Sequence, residues 1–129
     1  MPESYDVRHL DEVKHPKWPR WAPLRHAFDI RSFGINLWRH EDGSDVIPEH
    51  DEADSGHEEL YLVLAGHATF TIDGDEVDAP AGTAVFIRDA KATRKAVAKD
   101  PETSVLAIGG WKDKAFEVSE WETKYMEEA

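Results

Sequence analysis

The sequence predicts an all-β domain built as a sandwich, a jelly roll or a small closed barrel. Two observations predict this class. Seven or eight short segments between residues 32 and 110 have strand patterns, in which apolar residues alternate or run continuously. Turn signals rich in glycine, proline and aspartate separate these segments at short intervals. The chain has 129 residues, which fits one domain with a substantial core.

The strands follow one another along this region. The first covers residues 32–38 and alternates with period two. The segment 59–64 is apolar on both faces, which is typical of a strand buried on both sides. Asp73-Gly74, after the strand at 67–72, is a strong hairpin signal. Further strands are predicted at 83–87, 93–98 and 103–110.

The chain before the predicted barrel, which covers residues 30–112, has a different character. Residues 1–29 contain the stretch HPKWPRWAP. Its prolines disfavour a regular helix or a central strand, because each fixes φ and removes a backbone donor. We therefore expect an extended arm that lays Trp18 and Trp21 on an apolar surface, either of its own domain or of a partner subunit.

The chain after the barrel, residues 113–129, is predicted to form a short helix. Ser119-x-x-Glu122 has the spacing of a capping box. Acidic residues in the first turn suit the positive end of the helix dipole. Trp121 and Tyr125 are four residues apart and share one face, which we expect to pack on the sheet.

Charge and composition exclude several kinds of partner. The formal net charge of −12 repels phosphate backbones, so no nucleic acid is expected. The chain has no cysteine, which removes disulfides and thiolate chemistry and is compatible with a cytoplasmic location. We find no signal-peptide pattern and no apolar run of about 18 residues, so no membrane partner is expected. The basic stretch 88–95 predicts a solvated loop, since it lacks aromatic residues.

The stretch VIPEHDEADSGHEEL, which starts at Val46, carries the candidate chemistry. It holds two histidines and several carboxylates without Lys or Arg. His57 and Glu59 point to the same face if a strand begins at His57, and His50 and Glu52 form a second pair if residues 49–52 are extended. The alternative is an acidic, solvated loop that binds nothing.

The segment GHEELYLVLAG and the following ATFTIDGDEVDAPAGTAVFI resemble the cupin superfamily, in particular its small single-domain bacterial members. Glu59 and Gly66 have the spacing that ends the first cupin motif. Gly74, Pro80 and Gly82 match the turn skeleton of the second. Over residues 33–110 the resemblance implies a double-stranded β-helix, or jelly-roll barrel, with Glu59 facing its interior. A homodimer is also common in this superfamily.

The usual metal ligands of that superfamily are mostly replaced in this chain. The His-x-His positions fall on Ala53 and Ser55, and the histidine position of the second motif falls on Val85. A metal site would therefore need a different ligand set, and two histidines with two glutamates suit Fe, Mn, Ni or Zn. The candidate ligands are His50, Glu52, His57 and Glu59. Without a metal, an inward Glu59 would have a raised pKa unless His57, an arginine or water partners it.

Two functions remain open from the sequence. The resemblance implies a metal-dependent enzyme of the dioxygenase, isomerase or epimerase type, with Glu52 as a fourth ligand or as a base. The alternative is a small-molecule-binding cupin without metal or catalysis, in which Glu59 or His57 orients the ligand. Its apolar pocket would be lined by Tyr61, Val63, Val85 and Ile87.

Overall fold

The computed structural model describes residues 4–40 and 45–127, apart from the side chain of His40. The strands within these ranges are β1 (Trp21–Ala22), β2 (Gly34–His40), β3 (Asp45–His50), β4 (Glu58–Ala65), β5 (His67–Ile72), β6 (Asp75–Pro80), β7 (Ala84–Ile87), β8 (Arg94–Ala98) and β9 (Thr103–Gly110). The helices are a single 3-10 turn (Leu10–Glu12), α1 (Leu24–Phe28) and α2 (Glu120–Glu127).

The strands form two antiparallel sheets. One sheet has the order β1-β2-β9-β4-β7 and the other the order β3-β8-β5-β6. Glu59 on β4 lies opposite Gly109 of β9 and Ile87 of β7, near the centre of the first sheet. Arg94 on β8 pairs with His50 of β3 in the second sheet. The all-β, jelly-roll architecture expected from the sequence is confirmed.

The main hydrophobic core lies between the two sheets. Val63 and Val105 contribute from the first sheet, and Phe70 and Ala96 from the second, and all four are fully buried. The inward residues alternate along their strands, as the period of two requires. Burying a side chain of the size of Phe70 stabilises the fold by about 2 to 3 kcal/mol.

The N-terminal segment packs on its own domain, over the outer face of β2. Val13, Ala22 and Leu24 form a second apolar cluster with Leu37 of β2. The expected arm contains regular structure, because residues 21–22 pair with β2 and α1 follows Pro23. Proline is tolerated at this position, since the first N–H groups of a helix have no partner within it.

The two tryptophans of this segment differ in their environment. Trp21 is buried between His15 and Trp38, with ring centroids 5.4 and 5.8 Å away, whereas Trp18 is 47% exposed. Trp21 also donates to the side chain of Asn36 on β2. The buried tryptophan therefore fixes the segment to the sheet, and Trp18 lies at its edge.

Helix α2 begins at Glu120, one residue after the predicted cap Ser119. Trp121 contacts Trp21 with a centroid distance of 5.4 Å, so the helix packs its aromatic face on the domain as expected. The predicted capping role of Glu122 is wrong, because its carboxylate forms a buried ion pair with Arg25. Among the described residues, no helix is long and apolar enough to cross a membrane.

One sequence expectation about β4 needs correction. Its inward residues Tyr61 and Val63 are buried, but Leu64 on the opposite face is 41% exposed. Phe86 on the neighbouring edge strand β7 is 47% exposed. The strand is therefore buried on one face only, because the N-terminal segment covers the β2 side of the sheet and leaves the β4–β7 side open in the single chain.

Candidate functional site

A cavity of about 410 Å³ opens between the two sheets at the ends of β2, β3, β4 and β9. Polar side chains from β3, from the following loop and from β4 lie on one wall, and aromatic rings lie on the others. The lining includes His50, Glu52, His57, Glu59, Trp38 and Trp121. The stretch singled out in the sequence thus reaches the interior of the fold.

The polar wall brings three potential ligands together. His50 Nε2 lies 3.1 Å from an oxygen of Glu52 and 3.9 Å from an oxygen of Glu59. One ligand atom from each of the three residues lies within 4.8 Å of the other two. His50 Nδ1 is 2.7 Å from the Pro48 carbonyl, to which it donates, so Nε2 faces the carboxylates. Nε2 donates to them when the ring is protonated, and it would be available to a cation when the ring is neutral.

His57 lies beside this cluster without a satisfied hydrogen bond. The residue is 9% exposed, and neither ring nitrogen has a hydrogen-bond partner among the described residues. Its Nε2 is 3.3 Å from an oxygen of Glu52, close enough for an ion pair but without hydrogen-bond alignment. The ring lies over Gly109, where a Cβ would be 3.3 Å from Nε2, and meets Trp111 edge-on. A buried imidazole of this kind normally has a partner.

The loop between β3 and β4 is held in place by its own hydrogen bonds. The Glu52 amide donates to Ala90, and the Ser55 hydroxyl donates to a Glu52 carboxylate oxygen at 3.1 Å. Trp111 Nε1 donates to the Ser55 carbonyl at 2.6 Å. Gly56 has a φ of 75°, which a residue with a side chain rarely adopts. The loop thus fixes Glu52 and brings His57 back to the cavity.

Arg94 and Tyr61 hold the carboxylate of Glu59. Arg94 Nη1 donates to Glu59 Oε1 at 3.0 Å, and the Tyr61 hydroxyl donates to the same oxygen. Arg94 is completely buried. The expectation of a solvated loop at 88–95 is therefore wrong for its last part. The pattern contained a signal, since Arg94 occupies the inward-facing register of β8 together with Ala96 and Ala98.

The charge states of the cluster follow from its contacts. The hydrogen bond to Glu52 raises the pKa of His50, against the effect of burial. For Glu52, burial works to raise the pKa, but the hydrogen bond from His50 and the charge of His57 leave it below the ordinary value. Burial raises the pKa of Glu59, against the hydrogen bond from Tyr61 and the charge of Arg94. Burial also raises the pKa of Tyr61, which keeps it neutral and a donor.

Only one of the four residues expected to line an apolar pocket lies on the cavity wall. Tyr61 lines the cavity. Val63, Val85 and Ile87 instead lie in the main core, away from the cavity wall. Val85 and Ile87 lie opposite Tyr61 and Glu59 but on the edge strand β7, and no residue of β7 lines the cavity. Val63 lies two residues beyond Tyr61 on β4 and packs in the core between the sheets.

A second buried ion pair closes another wall of the cavity. Arg25 of α1 donates through Nε to Glu122 of α2 and through Nη1 to the Ile30 carbonyl at 2.8 Å. Both side chains of the pair line the cavity. The sequence did not indicate this pair, because 97 residues separate its members along the chain. It joins the two terminal segments across the mouth of the barrel.

The residues present fit a divalent metal ion. The donors are imidazole nitrogen and carboxylate oxygen, which suit first-row transition metals. His57, which has no hydrogen-bond partner among the described residues, and Nε2 of His50, which faces two carboxylates, are the groups that a bound cation would satisfy. Its holders would be His50, Glu52 and Glu59, with His57 adjacent.

Comparison with solved structures decides the fold family. A cupin protein from Bacteroides fragilis superposes with a TM-score of 0.71 at 18% identity, over 92% of this chain and 93% of that one. The chain has a cupin fold. A predicted oxalate decarboxylase from Thermotoga maritima is similar at a TM-score of 0.58 and 23% identity, over 69% of this chain and 76% of that one.

Another cupin of similar structure is a sugar phosphate isomerase from Silicibacter pomeroyi. Its TM-score is 0.58 at 20% identity, over 69% of this chain and 57% of that one. No sequence-family description and no curated protein matches this chain. The fold expected from the spacing of Glu59, Gly66, Gly74, Pro80 and Gly82 is therefore confirmed by three-dimensional similarity.

Proposed function

We propose that this cupin binds a divalent transition-metal ion (Fe, Mn, Ni or Zn) in the barrel cavity and acts on a small polar molecule beside it. His50, Glu52 and Glu59 would hold the ion, with His57 as a further ligand. The observation that carries the proposal is the buried, unpartnered imidazole of His57 next to three ligands within mutual reach. Leaving such a group unsatisfied costs about 1 to 3 kcal/mol.

A bound ion would act as a Lewis acid toward an oxygen of the substrate. The protein would provide the surroundings. Trp38 and Trp121 form apolar walls that exclude water, and Tyr61 keeps Glu59 in place. Glu52 is ionised and lies at the cavity surface, so it could also accept a proton from a substrate. This arrangement suits isomerisation or epimerisation, and two histidines with one carboxylate also suit an iron dioxygenase.

Metal analysis of protein purified without an affinity tag tests the proposal. We expect one metal ion per chain in the wild type, directly or after incubation with Fe, Mn, Ni or Zn. The ion should be lost in His50→Ala and His57→Ala. The matched control is His67→Ala, because His67 pairs with Asp78 on another part of the fold. Absence of stoichiometric metal in the wild type after incubation with all four metals would overturn the proposal.

A metal-free, ligand-binding cupin is the second candidate. The observation that favours it is the Arg94–Glu59 ion pair, which already neutralises the inward carboxylate. In this case, His57 and Glu52 would bind the polar end of a small molecule, and the aromatic walls would cover the rest. Failure to bind metal, together with a change in tryptophan fluorescence on adding small carboxylic acids or sugars, would support this candidate.

We also propose a cytoplasmic homodimer. The exposed side chains on the open face of the sheet, Leu64 and Phe86 among them, support association of two copies. We expect Phe86→Asp to give a monomer in analytical ultracentrifugation. The control Val7→Asp changes a residue that is 82% exposed in the N-terminal segment and should leave the mass unchanged. A wild type of monomeric mass would exclude the dimer.

A further inference from the structure

Arg94 is the one arginine that contacts the candidate metal cluster among the described residues. It enters from β8 of the second sheet and reaches Glu59 on β4 of the first sheet. Its side chain is completely buried, so no solvent screens its charge. The guanidinium therefore spans the interior of the barrel as a fixed positive charge.

The remaining donors of Arg94 fix its position. Nε donates to the Ala92 carbonyl at 2.9 Å, and Nη2 donates to the Asp89 carbonyl at 3.4 Å. Both carbonyls belong to the loop that leads into β8. These two hydrogen bonds to backbone carbonyls keep the guanidinium in place when the cavity fills. A lysine could not make them in the same way, because it lacks the planar fork of donors.

Arg94 also changes the net charge of the cluster. Glu52 and Glu59 supply two negative charges when ionised, and Arg94 cancels one of them. A metal ion held by the same carboxylate would meet the guanidinium as a like charge inside the barrel. Like charges at this range repel strongly, because a protein interior screens them less than water does.

We infer that Arg94 is a positioning residue: it holds Glu59 in place when no cation is bound, and it weakens the binding of a cation. This inference rests on the proposed metal site. It predicts that removal of the arginine charge strengthens metal binding. A purely structural role predicts weaker or unchanged binding, since loss of a structural contact leaves Glu59 less ordered.

The test is titration with Co²⁺ at about pH 8, where carboxyl groups are ionised, followed by the visible absorption of the bound ion. Arg94→Gln and Arg94→Met remove the charge, and Arg94→Lys keeps it. The control Arg88→Met removes the same charge from an exposed residue of the same loop. We expect Co²⁺ to bind at least about tenfold more tightly to the Gln and Met variants, whereas the Lys and control variants stay within about threefold of the wild type.

The outcomes separate this inference from the proposed function. A wild type that binds no Co²⁺ contradicts the metal site itself. A wild type that binds Co²⁺, with equal or weaker binding in both neutral variants, overturns the inference alone. Arg94→Gln keeps hydrogen-bonding capacity in case Arg94→Met does not fold. A neutral variant that folds only when Co²⁺ is present supports the inference, because the ion then replaces the missing positive charge.

Discussion

Replacement of Glu59 by glutamine should destabilise the metal-free protein, because it leaves Arg94 buried without a counter-charge. The carboxylate oxygen and the guanidinium nitrogen are 3.0 Å apart and Arg94 has 0% exposure. With an effective dielectric constant of about 20, Coulomb's law gives an attraction of about 5 to 6 kcal/mol. Burial of the carboxylate, which raises the pKa of Glu59, offsets part of this attraction. Glutamine can still accept the hydrogen bonds, so we expect a net loss of about 1 to 3 kcal/mol in the free energy of unfolding.

The assay is urea denaturation of the wild type and of Glu59→Gln in the presence of EDTA. A total stability of about 5 to 15 kcal/mol makes such a loss easy to measure. The control is Glu58→Gln, one residue earlier on β4, where the side chain belongs to the opposite face of the strand. The loss should shrink in the Arg94→Met background, because no buried charge is then left unpaired. A loss below about 1 kcal/mol that is unchanged in that background would refute the reasoning.

Three further predictions concern the acid pair, the mouth of the cavity and a turn. The His50–Glu52 pair should stabilise the metal-free protein by about 0.5 to 1 kcal/mol relative to Glu52→Gln. Because folding lowers the pKa of Glu52 from 4.5 and raises that of His50 from 6.5, this difference should be largest between those pH values. The difference should fall as the pH drops through the lowered pKa of Glu52, and also as the pH rises through the raised pKa of His50. Urea titrations that give the same difference at every pH would contradict this prediction. Glu122→Gln leaves Arg25 unpaired and should make the chain after residue 113 the first site of limited proteolysis. Unchanged cleavage would show that this pair does not hold the C-terminal segment against the cavity. Gly66→Ala should lower the stability by about 1 to 3 kcal/mol in thermal melts, because the φ of Gly66 is 74° and a Cβ there would lie 2.5 Å from the hydroxyl of Thr103. An unaltered melting temperature would show that the turn can relax.

The strands and their connections were predictable because they depend on local pattern. Alternation along 32–38 and 67–72 identified β2 and β5, and the turn at Asp73-Gly74 identified the hairpin to β6. Each of these signals acts over a few residues. The hydrophobic pattern and the turn geometry together set the register in which the strands pair. The same applies to α2, whose N-terminal signal begins at Ser119.

The partners of the charged groups were not predictable in this way. The sequence put Arg94 in a solvated stretch, yet it lies 35 residues from Glu59 along the chain and 3.0 Å from it in the fold. Glu122 was expected to cap its own helix, and it instead binds an arginine from the other end of the protein. The period of two along β8 places Arg94 on the inward face, but no local pattern identifies its partner, because β8 and β4 meet only after the barrel closes.

The spacing of apolar residues and turns in the sequence by itself determined a β-domain, and the motif resemblance implied a cupin-type barrel with Glu59 facing its interior. In the structure β4 starts at Glu58, so His57 lies just before the strand, whereas its expected pairing with Glu59 on one strand face required it to lie within the strand. Only the tertiary structure decided what these side chains meet. Closure of the two sheets placed His50 and Glu52 beside Glu59, left His57 without a partner, and aimed Arg94 across the interior. The physical reason is that the energy of a buried charge depends on its neighbours in space, which the order of residues does not specify.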